Sequence, residues 1–71
     1  MEENAMQTTQ NRLLHETDVA RILLVSESWL QKARVHRKGP PFVKIGRSVR
    51  YRKSDIDAYI GSNITQPSEV M

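Results

Sequence analysis

The sequence predicts a small α+β domain in which two short helices, a β-hairpin and a third helix follow in order. Three observations carry this. Apolar residues fall at helical spacing in two neighbouring stretches, one from Glu16 and one after Ser26. Gly39-Pro40-Pro41 ends the second stretch and leads into two alternating apolar and basic segments around Gly46. Ser54-Asp55-Ile56-Asp57 then has the signature of a helix start.

Helix 1 is expected over Glu16 to Leu23. Glu16 and Asp18 suit the positive end of its macrodipole, and Val19, Ala20, Ile22 and Leu23 give its apolar spacing. Leu24-Val25 is a short break. Ser26 caps helix 2, with Glu27 in the first turn. Trp29, Leu30 and Ala33 share one side of that helix. Ser28, Gln31, Lys32 and Val35 form a neighbouring stripe. Two short helices joined by about three residues make a helix-turn-helix. Two prolines cannot continue helix 2. Phe42-Val43-Lys44-Ile45 and Val49-Arg50-Tyr51-Arg52 then form a hairpin whose tip is Gly46-Arg47-Ser48. Val49 and Tyr51 share one face; Arg50 and Arg52 share the other, and Lys44 is expected to join them. Ser54 is expected to cap helix 3 and Asp57 to complete the capping box. Ile56, Tyr59 and Ile60 supply its apolar face, and Gly61 follows its end. The whole is a winged helix-turn-helix over residues 13–60. It lies between a flexible arm, 1–12, and a flexible tail, 61–71.

Seventy-one residues, 38% of them hydrophobic, allow one modest core. A pocket with the supporting shell that catalysis needs has little room, so a non-enzyme is expected. Without cysteine there is neither a disulfide framework nor a thiolate metal site. The longest apolar run, Ile22 to Val25, is far too short for a membrane span, and Met1-Glu2-Glu3 opens no secretory signal. A cytoplasmic protein is the expectation. No cofactor or metal is expected either. His15 and His36 stand apart as boundary and surface residues, Asp55 and Asp57 point apart on a helix, and Gly46 alone makes no phosphate loop.

The net charge of +3 conceals a block. From Ser28 to Ser54 there are nine basic residues and no acidic one, while the rest has two basic against eight acidic, a net of −6. Such a block on one face favours a polyanion. Duplex DNA fits, because Lys and Arg on phosphates release condensed counterions. Specificity needs a groove-reading element. Helix 2 offers Ser28, Gln31 and Lys32, with Val35 either against a thymine methyl group or in peripheral packing. Gln31 suits adenine; Lys32 suits guanine or a phosphate. Trp29 reads first as a core anchor and otherwise as a ring at the DNA boundary. Arg37 and Lys38 leave helix 2 toward phosphate. In the wing, Arg47 and Ser48 are placed at the tip, and Lys44, Arg50 and Arg52 on the backbone. Lys53 is expected to face solvent.

Leu13-Leu14, Val19-Ala20 and Val25-Ser26 resemble the opening of MerR-like winged helix-turn-helix domains. Gly39 to Arg52 resembles the wing, and Ser54 to Ile60 the final helix, of the excisionase and AlpA-type branch. The resemblance covers the whole foldable unit. Leu24 stands where that family usually has Gly, and His15 where it usually has a capping Thr. The resemblance implies helix 2 in the major groove and the wing on the minor groove or backbone. It implies a phage or mobile-element protein that bends DNA to direct an integrase toward excision, or an AlpA-like transcription regulator. A basic protein-binding module or inhibitor is the reading from a different class. RNA is disfavoured, since Tyr51 and Phe42 make a poor stacking platform. With no heptad, a monomer in solution is expected, with cooperation on DNA left open.

Overall fold

A computed structural model describes residues 12–67. The elements are β1 (Leu13–His15), α1 (Glu16–Leu23), α2 (Glu27–Val35), β2 (Val43–Ile45), β3 (Ser48–Arg52) and α3 (Lys53–Ser62). The expected arm, Arg12 excepted, and residues 68–71 of the expected tail lie outside the described residues.

Three residue pairs, Leu13 with Arg52, Leu14 with Tyr51 and His15 with Arg50, separate this sheet from a plain two-stranded wing. Leu13–His15 adds a third strand, so the sheet is antiparallel in the order β1-β3-β2. That strand was not expected, because three residues are too few to show an alternation. Its purpose is physical. A lone hairpin is marginal, and pairing Leu14 with Tyr51 makes β3 the central strand. Both side chains are buried, Tyr51 completely.

The core is small and contiguous. Leu14, Val19, Ala20, Leu30, Tyr51 and Ile56 form it, with Leu23, Val25 and Val49 packed against its edge. Each element thus contributes at least one residue except β2. Complete burial of side chains such as Leu30, Val19 and Ile56 contributes roughly 1.5–3 kcal/mol each. Ile22 is on the outer side of α1, not in this core.

The turn between α1 and α2 keeps a glycine-like geometry without glycine. Leu24 has φ +58°, in the left-handed region, and its N–H donates to Ala20 O. Val25 N donates to the same oxygen at 3.0 Å. The conformation costs a leucine roughly 1–2 kcal/mol. Its side chain gains nothing in return, being 88% exposed. Leu24→Gly should therefore raise stability by about 1 kcal/mol after the entropy of glycine is counted. In thermal unfolding that is a rise in Tm of about 5 °C; a fall would mean that the exposed leucine packs against something. At the start of α1, Asp18 Oδ2 accepts from His15 N at 3.0 Å, which offsets part of the missing threonine cap.

The boundaries of α3 differ from expectation at both ends. The helix starts at Lys53, with Arg52 rather than Ser54 as N-cap. Lys53 N donates to Arg12 O at 2.9 Å, so the residue just before β1 satisfies that donor. Asp57 completes no capping box; it pairs with Lys53 Nζ at 2.8 Å. Gly61 lies inside the helix, which runs to Ser62. Ser62 Oγ and Asn63 Nδ2 bond the Tyr59 carbonyl at 2.9 and 2.8 Å and close the last turn.

Candidate nucleic-acid interface

Helix α2 is anchored on one side and open on the other. Ser26 Oγ accepts from Trp29 N at 2.9 Å and fixes its start. Leu30 and Ala33 are buried and hold it to the core. Arg34 ties it to two other elements. Its Nη1 donates to Glu16 Oε2 at 2.7 Å and to the Tyr51 hydroxyl at 3.0 Å. The guanidinium also lies over the Phe42 ring, 5.7 Å from its centre. Phe42 and Tyr51 are themselves 6.5 Å apart at a tilt of 58°. Burial works to lower the Arg34 pKa, but the hydrogen bonds to Glu16 and Tyr51 outweigh it and the net shift is upward. The side chain is thus a permanent cation, held inside the fold.

The opposite side of α2 carries the stripe read from the sequence. Ser28, Gln31, Lys32 and Val35 are all exposed, Val35 to 78%. That exposure excludes peripheral core packing for Val35. Gln31 Nε2 lies 3.5 Å from Glu16 Oε1, the outer limit of a hydrogen bond, and its carbonyl oxygen is uncommitted. Trp29 is not a core anchor. It is 43% exposed, while Leu30 beside it is 1% exposed. The reason is angular: with Leu30 and Ala33 centred on the core, Trp29 falls at the margin of the buried arc.

Beyond α2 the chain turns sharply. Arg37 adopts φ +58°, and Lys38 N donates back to Ala33 O at 2.7 Å. Arg37 and Lys38 are both exposed there. The hairpin tip is the two-residue turn Gly46-Arg47. Gly46 has φ +61° at the first turn position, the pattern of a type II′ hairpin. Arg47 is exposed at this tip, but Ser48 is not part of it. Ser48 opens β3 opposite Ile45 and is partly buried.

A family model described as Helix-turn-helix domain matches residues 13–63. The chain belongs to this helix-turn-helix family. None of the curated proteins compared with the chain matches it significantly. A helix-turn-helix domain implies DNA as the partner. Among the described residues, no helix is long and apolar enough to cross a membrane.

In this helix-turn-helix domain the cations do not act as one block. Arg34 is internal. Arg52, expected on the DNA backbone, is bound by Asp55 at 2.7 and 3.0 Å. The hydrogen bonds and charge of Asp55 raise its pKa. Lys53 is held by Asp57. Lys44 does not share a face with Arg50. Its partner across the strands is Val49, so it lies on the helix-facing side with Tyr51. Arg50 stands opposite Val43 and His15, on the other face, where its Nη1 bonds Val49 O at 2.9 Å. Lys32, Arg37, Lys38, Lys44, Arg47 and Arg50 have no carboxylate partner among the described residues. The pairing partners are acids that the sequence placed as caps. Asp55 follows Arg52 by three and Asp57 follows Lys53 by four, a spacing that could have flagged both pairs. Glu16 is 18 residues from Arg34, and no local signal announces that contact.

Proposed function

We propose that the chain binds specific sites on double-stranded DNA as an excisionase-like protein. It would place and bend DNA for a phage or mobile-element integrase without catalysing a reaction itself. The observation that carries the reading is the exposed stripe Ser28, Gln31, Lys32 and Val35 on a helix fixed to the core, to β3 and to α1. Pre-organisation of this kind is what base readout requires, since side chains must meet groove edges in register. Arg47 at the hairpin tip reaches a minor groove or a phosphate, and Arg37 and Lys38 add backbone contacts. The excisionase assignment rests on the resemblance of the wing and last helix.

Gln31→Ala should reduce discrimination between the preferred site and an unrelated duplex by about 1–3 kcal/mol, a factor of roughly 5 to 150. Arg47→Ala should weaken all duplexes alike. Competition binding on immobilised duplexes checks both. An unaltered sequence preference in Gln31→Ala would remove that residue from base readout. Footprinting on the chromosome separates the outcomes. Protection beside a recombination attachment site, with altered excision, supports the excisionase reading. Protection over a promoter with no effect on excision replaces it with AlpA-like regulation. Absence of DNA binding even at low salt leaves the basic protein-binding module.

A further inference from the structure

An open cleft of about 560 Å³ lies between the last turns of α2 and the chain that leaves it, lined by Trp29, Lys32, Ala33, His36 and Lys38. Four of these residues stand at i, i+3, i+4 and i+7 on one helix face. Lys38 is brought to the same cleft by its backbone bond to Ala33 O.

The floor is made of small residues. A Cβ placed on Gly39 would lie 3.0 Å from Ala33 Cβ and 4.0 Å from Trp29 Cζ3. Gly39 also has φ +83°, so a side chain there is disfavoured twice. One wall is the indole of Trp29, half exposed in a domain with little apolar surface to spare. Its Nε1–H, a donor only, has no acceptor among the described residues. The remaining lining is basic or imidazole, and no carboxylate enters it.

We propose that this cleft seats the sugar–phosphate backbone of duplex DNA. The Trp29 ring lies against a deoxyribose and donates Nε1–H to a phosphate oxygen, which Lys32 and Lys38 neutralise. This rests on the DNA-binding reading above and adds a place and an orientation to it. The cleft is open and has one aromatic wall, so it suits a passing strand. An extruded base would need a closed pocket and a ring on both faces. The assignment also divides α2. Lys32 goes to phosphate, and Ser28, Gln31 and Val35 are left for base edges. A basic cleft with a free indole donor fits an anionic polymer better than an apolar peptide.

Trp29 is the only tryptophan of the chain, so its fluorescence reports this one ring. Binding is followed separately by anisotropy of a labelled duplex at low salt. On saturation with duplex, acrylamide quenching of Trp29 should fall at least about twofold. Trp29→Ala should weaken every duplex by about tenfold and leave sequence preference as it was. Lys38→Ala, at an exposed side chain, should lower the salt slope by about 1 while circular dichroism stays native. If anisotropy reports binding but Trp29 stays equally quenchable, the cleft is not the seat and the proposal fails while DNA binding stands. The same holds if Lys38→Ala leaves the salt slope unchanged. If anisotropy reports no binding to any duplex, the DNA reading itself fails and takes this one with it.

Discussion

Arg34→Ala should destabilise the domain by about 3 kcal/mol, a large part of the stability available to a chain of this size. The residue belongs to the basic block, yet its role is structural. Both it and Glu16 are only 19% exposed. Removing a partner from a fully buried ion pair costs about 3–5 kcal/mol, and the residual exposure of this pair screens part of that. The Tyr51 hydroxyl loses its donor as well, on a residue with no exposed surface. These contributions overlap and do not simply add. Arg34→Lys should recover only part, because an ammonium lacks the plane that lies over Phe42. Urea denaturation gives the measure, and an unchanged midpoint in Arg34→Ala would show the network to be ornamental. The pH dependence has a definite sign. The folded pKa of Arg34 is raised. Its stabilisation is therefore whole below the unfolded value and lost only as pH rises through the folded one, in strongly alkaline solution. Between pH 5 and 9, arginine ionisation should contribute no slope. The residual folded fraction of Arg34→Ala should bind DNA with ordinary affinity, since no phosphate contact was removed.

What was legible in the sequence follows the range of the interactions. The α1 bounds, the Ser26 cap and the Gly46 turn are local, and each was visible as a residue type at a fixed offset. Leu24 was equally visible as the wrong residue for its turn; the backbone nevertheless takes the left-handed form, because the bonds to Ala20 O hold it. Strand β1 was not legible. It exists through pairing with a segment some 37 residues later, and three residues carry no period. The face assignment of Lys44 failed for a related reason. Alternation within a strand is local, but which face of β2 matches which face of β3 depends on the register across the turn, and a tip of two residues rather than three reverses it. Of the candidate site, the exposed stripe on α2 and the surplus of charge were legible. It was not legible which charges are free. Arg34 and Arg52 look like their neighbours in the sequence, and only the fold brings Glu16 to the first and settles Asp55 on the second.

That distinction has a quantitative outcome in the salt dependence of DNA binding. If all nine cations of the block touched phosphate, log affinity would fall with log salt at a slope of about −8. With Arg34 inside the fold, Arg52 on Asp55 and Lys53 on Asp57, six remain, and the slope should be about −5. Between 50 and 200 mM salt the affinity then drops about a thousandfold. The variants sort the cations individually. Arg47→Ala should lower the slope by about 1. Arg52→Ala should leave it where it was, since that guanidinium already faces a carboxylate in two hydrogen bonds. Asp55→Asn should release Arg52 and steepen the slope by as much as 1 if the wing lies along the backbone. Lys44 and Arg50 are on opposite faces of the sheet, so a wing that lies flat on DNA can use only one of them. The pair of single alanine variants shows which face is turned to the duplex: the one that shifts the slope marks it. Equal shifts from both would mean that the wing enters a groove edge-on, with phosphates on either side. A slope near zero would remove electrostatics from the account altogether.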